Sequence, residues 1–438
     1  MAMKLKLMPA AAVLAVLAIP VDAADAPLPE CLSLRQCIQI ALQKQAEVLV
    51  ARNNLTGAQA RKNQAVSSYY PQVSIEHATY LAQSTTSGTP QQEGGSFVVF
   101  QDFYNSGLRE AQSRQARAQV TESSMSLNRT GQDVIFSVTR DYFEVLRAVR
   151  LAEVREAQVT YLEGQIKLVR SLAEHGDAAE VDALPIEAQL ANSRVDLIEA
   201  QNGVNIAAVA VQNTMGLFPR KGFSVSDFDP PPLPDPEPVN TYIATAFVYR
   251  PEVVQTQAAI RATESALDVT EIEYRPRLEV TGSYQKRLYG KNIWSSFGAG
   301  WDDEARVSAN IVWDIYDGNA NKARIVEARS TVDSAKVRAD RAKQDIQAQV
   351  EQAYLDLDSA RRRIQASQLG LESSRKNFEV QEERYAQGFA IALDLLNAQS
   401  ELVTAESSAV QARYDYYTAI AQLNYAVGKQ GVLYEEAG

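Results

Sequence analysis

Residues that enzymes rely on are scarce in this chain. Of its 438 residues only two are histidine and two are cysteine. His77 and His175 fall in different kinds of segment, and the chain has no His-Glu-x-x-His, no Gly-x-Ser-x-Gly and no Walker-type loop. Gly298 and Gly300 in "FGAGWDDE" lack the rest of a dinucleotide fingerprint and read as part of a loop tip. No cofactor or resident metal is called for, and an enzyme is not expected. Positive charge is short as well: 43 Lys+Arg stand against 54 Asp+Glu, a net charge of −11. That balance argues against a nucleic-acid partner and leaves no polybasic patch for an anionic membrane surface. Past the N-terminus, no apolar run approaches the ~18–20 residues of a transmembrane helix. A chain of this kind that crosses a bilayer must do so as β-strands.

The opening "MAMKLKLMPAAAVLAVLAIPVDAADA" has Lys4 and Lys6, an apolar run from Leu7 to Ile19 and a cleavage-type Val21-Asp22-Ala23. It reads as a secretory signal over 1–23, so the mature chain is expected to be exported. Cys31 and Cys37 follow it. In an oxidising compartment they could close a short-loop disulfide if Cys31 lies in extended chain before a helix carrying Cys37; two free thiols is the other outcome. No Leu-x-Ala/Gly precedes Cys31, which speaks against acylation.

Ser33 to about Ser68 reads as a helix. From Pro71 the period changes: Val73, Ile75, His77, Thr79 and Leu81 alternate with Ser74, Glu76 and Ala78, a strand pattern. A polar loop over 84–95 and the return strand "SFVVFQDFY" complete a hairpin with a long tip. From Asn105 to about Glu174 no proline intervenes. Ile135, Val138, Tyr142, Val145 and Val149, then Val159, Leu162, Ile166 and Val169, step by three and four as in a coiled-coil seam. Some 70 helical residues would make a rod of about 100 Å. His175-Gly176-Asp177 ends it and a second helix runs to about Met215. Then "DPPPLPDPEP", with six prolines in 230–238, reads as a stiff linker.

After the linker the plan repeats. Tyr69 and Pro71 match Tyr274 and Pro276 at an offset of 205, whereas Asp102, Tyr104, Ala111 and Val120 match Asp314, Tyr316, Ala323 and Val332 at 212. The change of offset falls between the paired strands, so the second hairpin tip is seven residues longer. The expected organisation is a signal over 1–23, a first repeat over 24–228, a linker over 229–239, a second repeat over 240–428 and a tail over 429–438. The expected fold class is mainly α with a small β part: long coiled helical hairpins plus four strands, built by internal duplication.

Four strands cannot close a barrel, and an open strand edge is not viable in lipid. Membrane-spanning strands therefore require several copies: two give eight strands, three give twelve. Tyr69, Tyr70, Phe103, Tyr104, Tyr274, Trp313 and Tyr316 gather at the strand–helix junctions, where an interfacial girdle would lie. Ser283, Gln285, Ser308 and Asn310 would then face interior water.

With the duplicated halves, the Tyr-x-Pro strands, the Asp-x-Tyr transitions and the Gly-x5-Asp helical turns, the chain resembles the TolC-like outer-membrane factor family over essentially all of 33–428. The resemblance implies a homotrimer with a twelve-stranded transmembrane barrel in the outer membrane of a Gram-negative bacterium and a helical tunnel through the periplasm. It also implies a periplasmic adaptor and an inner-membrane pump as partners, and outer-membrane lipid around the barrel. Asp102, Tyr104, Gly107, Asp314, Tyr316 and Gly318 then mark the strand-to-helix transitions, with Asn105 or Ser106, and Asp317, as suitable N-caps. The turns "LAEHGDAAEVDAL" and "RYAQGFAIALDLL" resemble the tunnel tips. There His175, Gly176, Asp177, Gln387, Gly388 and Phe389 would dock the adaptor. Asp182, Asp394 and Tyr385 match the family's pore constriction. The sequence departs from the family where an arginine usually follows the tip glycine, since Ala178 and Ala390 stand there. Asn397 replaces a second acid, and Arg384 is the substitute cation within reach. The expected function is a passive exit duct for small molecules. A type I secretion duct for proteins is the alternative, and a soluble periplasmic coiled-coil scaffold a remote one.

Overall fold

The computed structural model describes residues 31–81, 91–175, 183–228, 237–290, 301–387 and 389–429. The expected signal, most of the proline linker, the hairpin tips, most of the C-terminal tail and the tip residues Gly176, Asp177, Asp182 and Gly388 lie outside them. The elements run β1 (Cys31–Leu32), α1 (Leu34–Lys44), α2 (Ala46–Ser67), β2 (Gln72–Leu81), β3 (Gln91–Asn105), α3 (Leu108–His175) and α4 (Ala183–Thr214). They continue with β4 (Ser224–Val225), α5 (Val239–Tyr249), α6 (Pro251–Tyr274), β5 (Arg277–Gly290), β6 (Trp301–Val312), α7 (Ala320–Ala386) and α8 (Ala392–Val427).

The first helix differs from the sequence reading: it breaks at Gln45, and its counterpart breaks at Arg250 between α5 and α6. Both break residues are extended, with ψ near 128° and 123°. Each break receives the end of a returning helix. Gly216 after α4 has φ +73°, and a Cβ there would stand 2.8 Å from the Lys44 carbonyl oxygen. Gly428 after α8 has φ +79° and faces Tyr249 and Arg250 at 3.0–3.1 Å. Only glycine combines the left-handed backbone with so close an approach.

α1 begins with a capping box in which Ser33 and Gln36 satisfy each other's backbone amides. Leu32 before the cap and Cys37 four residues after it are buried in one cluster, in the manner of a hydrophobic staple. This overturns the disulfide outcome. Leu32, not Cys31, is turned to the side where Cys37 lies, and both cysteines are free, Cys31 exposed and Cys37 buried. Burial pushes the Cys37 thiol up to about 12, so it stays protonated.

The four long strands form one antiparallel sheet in the order β2-β3-β5-β6. Register puts Val73, Ile75, Phe97 and Val99 on one face with Leu278, Val280, Tyr284, Val307 and Ile311. That face is bare: Ile75 is 84% exposed, Val307 78% and Ile311 77%. The other face carries Ser74, Glu76, Thr281, Ser283, Gln285, Ser308 and Asn310. β3 alone is apolar on both sides, through Val98 and Phe100. Between Asp102 and Tyr104 the ladder takes a bulge at Phe103. Its ring lies over Gly282, where a Cβ would come within 2.6 Å of it.

Below the sheet, α3 packs on α2 and α6 and then on α4 and α8, while α7 packs on α6 and then α8. The larger core sits where α1, α5 and the ends of α4 and α8 meet the long helices; a second cluster joins α3 to α4 near the tip. The first is tied by Arg250, 1% exposed. Its guanidinium donates to the carbonyls of Tyr425 and Ala426 at 3.2 and 3.3 Å and to Gln349 Oε1 at 2.6 Å. It also pairs with Glu252 at 2.8 Å, a carboxylate shared with Arg129 of α3 at 2.8 Å. Tyr425 stacks on Phe136 at 4.8 Å and donates to Asp133 at 2.6 Å. One buried cation thus caps α8 and joins α6, α7 and α3.

Arg250→Ala is expected to cost about 3–5 kcal/mol, since it leaves Glu252 and two carbonyls without their buried donor. Gly216→Ala should cost about 2 kcal/mol or more, with a smaller loss for Gly428→Ala, whose contacts are looser. Thermal melting checks both; Gly203→Ala, with nothing within 4 Å of its added methyl, is the control that should not lower stability.

Candidate functional site: the strand–helix junctions and the tunnel tips

Each return strand turns into a long helix through two consecutive left-handed residues. In the first half these are Ser106 (φ 58°) and Gly107 (φ 88°), in the second Gly318 (φ 71°) and Asn319 (φ 69°). At the 212 offset Gly318 matches Ser106 and Asn319 matches Gly107, so the two glycines are not counterparts. The bend needs two left-handed residues, and each half supplies one glycine and one small polar residue that tolerates the conformation. The side-chain caps are equivalent. Asn105 Oδ1 accepts from the Arg109 amide at 3.2 Å, and Asp317 Oδ2 from the Asn321 amide at 2.7 Å. Ser106 serves elsewhere: its Oγ accepts from the Leu278 amide at 2.9 Å, pinning the start of β5 to the bend.

Arg109 closes the first junction. It lies 4.1 Å over the ring of Tyr69 and donates to the Asp102 carbonyl at 2.9 Å. In the second half Asn321 takes its place, and Asp314 and Tyr316 are exposed, Tyr316 by 81%. Tyr104 and Trp313 are about half exposed on the same junction belt.

At the tips, α3 ends at His175 and α4 opens at Ala183. α7 closes on Gln387, whose amide donates to the carbonyls of Glu383 and Tyr385, and the Phe389 amide donates to the Arg384 carbonyl at 2.8 Å. Phe389 is 72% exposed. Ile391 and Leu393, which no sequence pattern singles out, are similarly bare and extend the apolar tip. Asp394 stands exposed in the first turn of α8, where the helix dipole favours a carboxylate, with Asn397 one turn on along the same side. Arg384 is exposed in the last turn of α7. Among the described residues neither Arg384 nor Asp394 joins a side-chain ion pair within the chain.

The tie between the two helical hairpins comes from residues that the sequence reading missed. Tyr161 of α3 donates to Glu382 of α7 at 3.4 Å, and its ring meets Phe378 edge-on at 5.4 Å. Burial first, then the charge of Glu382, raises the Tyr161 hydroxyl above its usual range, so it remains a donor. Tyr161 falls beside the Val159–Leu162–Ile166 seam rather than on it, and a seam reading assigns such a position to solvent. Tyr385, expected at the constriction, is half-buried near Tyr161. Beyond Ala360 no described residue of α7 is buried, whereas α3 keeps buried residues down to Val169. The lower part of α7 is therefore held to α3 by few groups, whereas the start of α8 buries Leu395, Ala398 and Val403 and sets Leu396 against the α3–α4 cluster. Tyr161→Phe is expected to loosen that part of α7, seen as faster proteolytic nicking of 361–393 with an unchanged global melting temperature; equal nicking rates would remove the hydroxyl from that role.

Comparison with known proteins fits this geometry. A family model described as outer membrane efflux protein matches residues 37–217 and 243–429, one match per duplicated half. The chain is 22% identical over 316 residues to the outer membrane efflux protein BepC of Brucella suis biovar 1, covering 72% of this chain and 67% of that one. It is 22% identical over 322 residues to the alkaline protease secretion protein AprF of Pseudomonas aeruginosa, covering 72% and 65%. Its fold superposes with a TM-score of 0.75 on the open state of the Neisseria gonorrhoeae MtrE outer membrane channel, at 17% identity over 90% of this chain and 88% of that one. The chain belongs to the outer membrane efflux protein family, the channels of the Gram-negative outer membrane.

Proposed function

We propose that three copies of this chain close head to tail into a twelve-stranded outer-membrane barrel continued by a periplasmic helical tunnel. The assembly acts as a passive exit duct for small molecules handed over by an adaptor and an inner-membrane pump. The observation that carries this reading is the four-stranded sheet, apolar and bare on one face, polar on the other, and open at both edges. Lipid satisfies the apolar face but not the edges, so the edges must meet other copies. The two edges are unlike. β2 leads from α2 on one side of the chain, with α4 below it, while β6 leads into α7 on the other. Unlike edges make a heterologous interface, which generates a ring.

The helices support the same geometry. Val326, Val337, Leu355, Leu369 and Val380 are exposed on α7 and fall within an arc of about 40° at 100° per residue. On α4, Leu184, Val195, Ile198, Ile206 and Val209 share a broader stripe, about 80° wide. These are the outermost helices on the two sides of the chain, and a seam between copies would cover both stripes. Eight strands leave an interior filled by side chains, whereas twelve leave a channel. Energy for transport would come from the partners, since no nucleotide loop is present in the sequence.

At the tips, Asp394 with Asp182 would form an acidic constriction that favours cations, with Asn397 and Tyr385 beside it. Arg384 would find its carboxylate on the next copy. His175, Gly176, Asp177, Gln387, Gly388 and Phe389 would meet the adaptor, joined by Ile391 and Leu393. The likeness to AprF supports a second reading, a duct for secreted protein, because the same tunnel serves whichever pump delivers the cargo.

Purified protein should run at trimeric mass and form cation-selective, mostly closed channels in a planar bilayer. A monomer without conductance would refute the barrel. Asp394→Ala should raise the divalent-cation concentration needed for half-block about tenfold, equivalent to about 1.4 kcal/mol; unchanged block would take Asp394 out of the constriction.

A further inference from the structure

One strand breaks the polar face of the sheet. By register, Phe100 of β3 has Gln72 and Ser283 beside it and Arg306 one strand further. Val98 has Ser74, Gln285 and Glu304 in the same places. In both rows every residue but the one from β3 is polar. Phe100 is 41% exposed there, as bare as Phe97 on the opposite, apolar face. A ring set among polar neighbours gains little packing from its own sheet, and its exposed part costs free energy in water.

Assembly does not remove this exposure. β3 is flanked by β2 and β5, so contacts between copies, which form at the outer strands, leave its polar side uncovered. In the barrel proposed above that side lines the lumen, and three copies repeat the patch at one level. The charge around it has a sign. Arg306 pairs with Glu304, and Arg277 with Glu279. Glu76 is exposed on β2 opposite Ser96 and joins no ion pair among the described residues. It stands diagonally across from Val98, about 7–8 Å away.

We infer that Phe100 and Val98, with Glu76, form a luminal contact site for aromatic organic cations on their way out. The face of the Phe100 ring attracts a cationic aromatic body, Val98 extends the apolar contact, and Glu76 supplies the opposite charge. Phe100 and Glu76 lie four residues apart along the strands and one strand across. At 3.4 Å per residue and 4.8 Å between strands that span is about 14 Å, which a polycyclic cation covers with the reach of the two side chains. An anion of the same shape meets Glu76 with the wrong sign, and a cation without rings leaves Phe100 unused. On the wall of a wide barrel the contact is transient, and a duct needs binding weak enough for release. The inference rests on the barrel reading above and adds to it the chemical class of cargo that the wall favours.

Dye binding tests it. Ethidium, a polycyclic aromatic cation, is titrated with the detergent-purified protein and followed by fluorescence anisotropy, with the particle mass determined on each sample. Phe100→Leu keeps the patch apolar and should weaken binding about fivefold, the equivalent of about 1 kcal/mol of cation–π attraction. Glu76→Gln should weaken it as well, more at low salt than at high salt. Phe97→Leu makes the same change on the opposite face and should leave binding as it is. Naphthalene-1-sulfonate, an aromatic anion, should not displace the dye. Unchanged binding in trimeric Phe100→Leu would overturn the site, as would an equal loss in Phe97→Leu or ready displacement by the sulfonate. A monomeric mass of the unsubstituted protein would instead overturn the barrel reading itself, and the inference with it.

Discussion

A strand edge placed in lipid has no water to satisfy its amides and carbonyls, and this chain carries two such edges on a sheet too narrow to close. Much of the structure serves that constraint. The bare face of Ile75, Val307 and Ile311 is stable only against hydrocarbon, which commits the sheet to the membrane. Its opposite edges, β2 and β6, continue into helices on opposite sides of the molecule. In the assembly proposed above, satisfying the strands would also align α7 against α2 and α4 of a neighbour. The stripe on α7, from Val326 to Val380, spans about 80 Å at 1.5 Å per residue, most of the length of the rod.

Two devices let one short sheet carry such long helices. At the junctions, a pair of left-handed residues turns the strand and an Asn or Asp side chain caps the helix that follows. At mid-length, Arg250 neutralises the carbonyl end of α8 and fastens it to α6, α7 and α3. The first half does without a cation at this point: Gln45 occupies the break and its side chain caps α2 instead. The duplication is therefore close in backbone and loose in side chains. The same divergence separates the tips. The α3–α4 hairpin has its own buried cluster, whereas the lower part of α7 depends on Tyr161, Glu382 and Phe378.

Most of the fold was legible in the residues. The period-two run from Val73, the three-and-four stepping from Ile135 and the paired offsets each reflect local geometry, and local geometry is written in residue order. What escaped reading depended on contacts between distant segments. The break at Gln45 has no proline or glycine of its own; what packs against it is Gly216, far along the chain. The junction glycines Gly107 and Gly318 do sit at left-handed positions, but which of the two consecutive positions each takes differs between the halves. Cys31 and Cys37 are close in sequence, but the staple turns Leu32 rather than Cys31 toward the interior. Tyr161 lay off the seam and was invisible until α7 was beside it.

The sequence by itself determined the element types, the duplication, the strand faces and the family, because periodicity and spacing are properties of a single chain read in order. Only the tertiary structure decided which edges are free, which helices are outermost, where the buried Arg250 ties the halves together and how the two hairpins are latched. These follow from packing at distances the sequence does not record. Hydrophobic burial chooses neighbours by shape and exposure, and a side chain such as Arg250 acquires its role only when Glu252, Gln349 and Tyr425 have been brought around it.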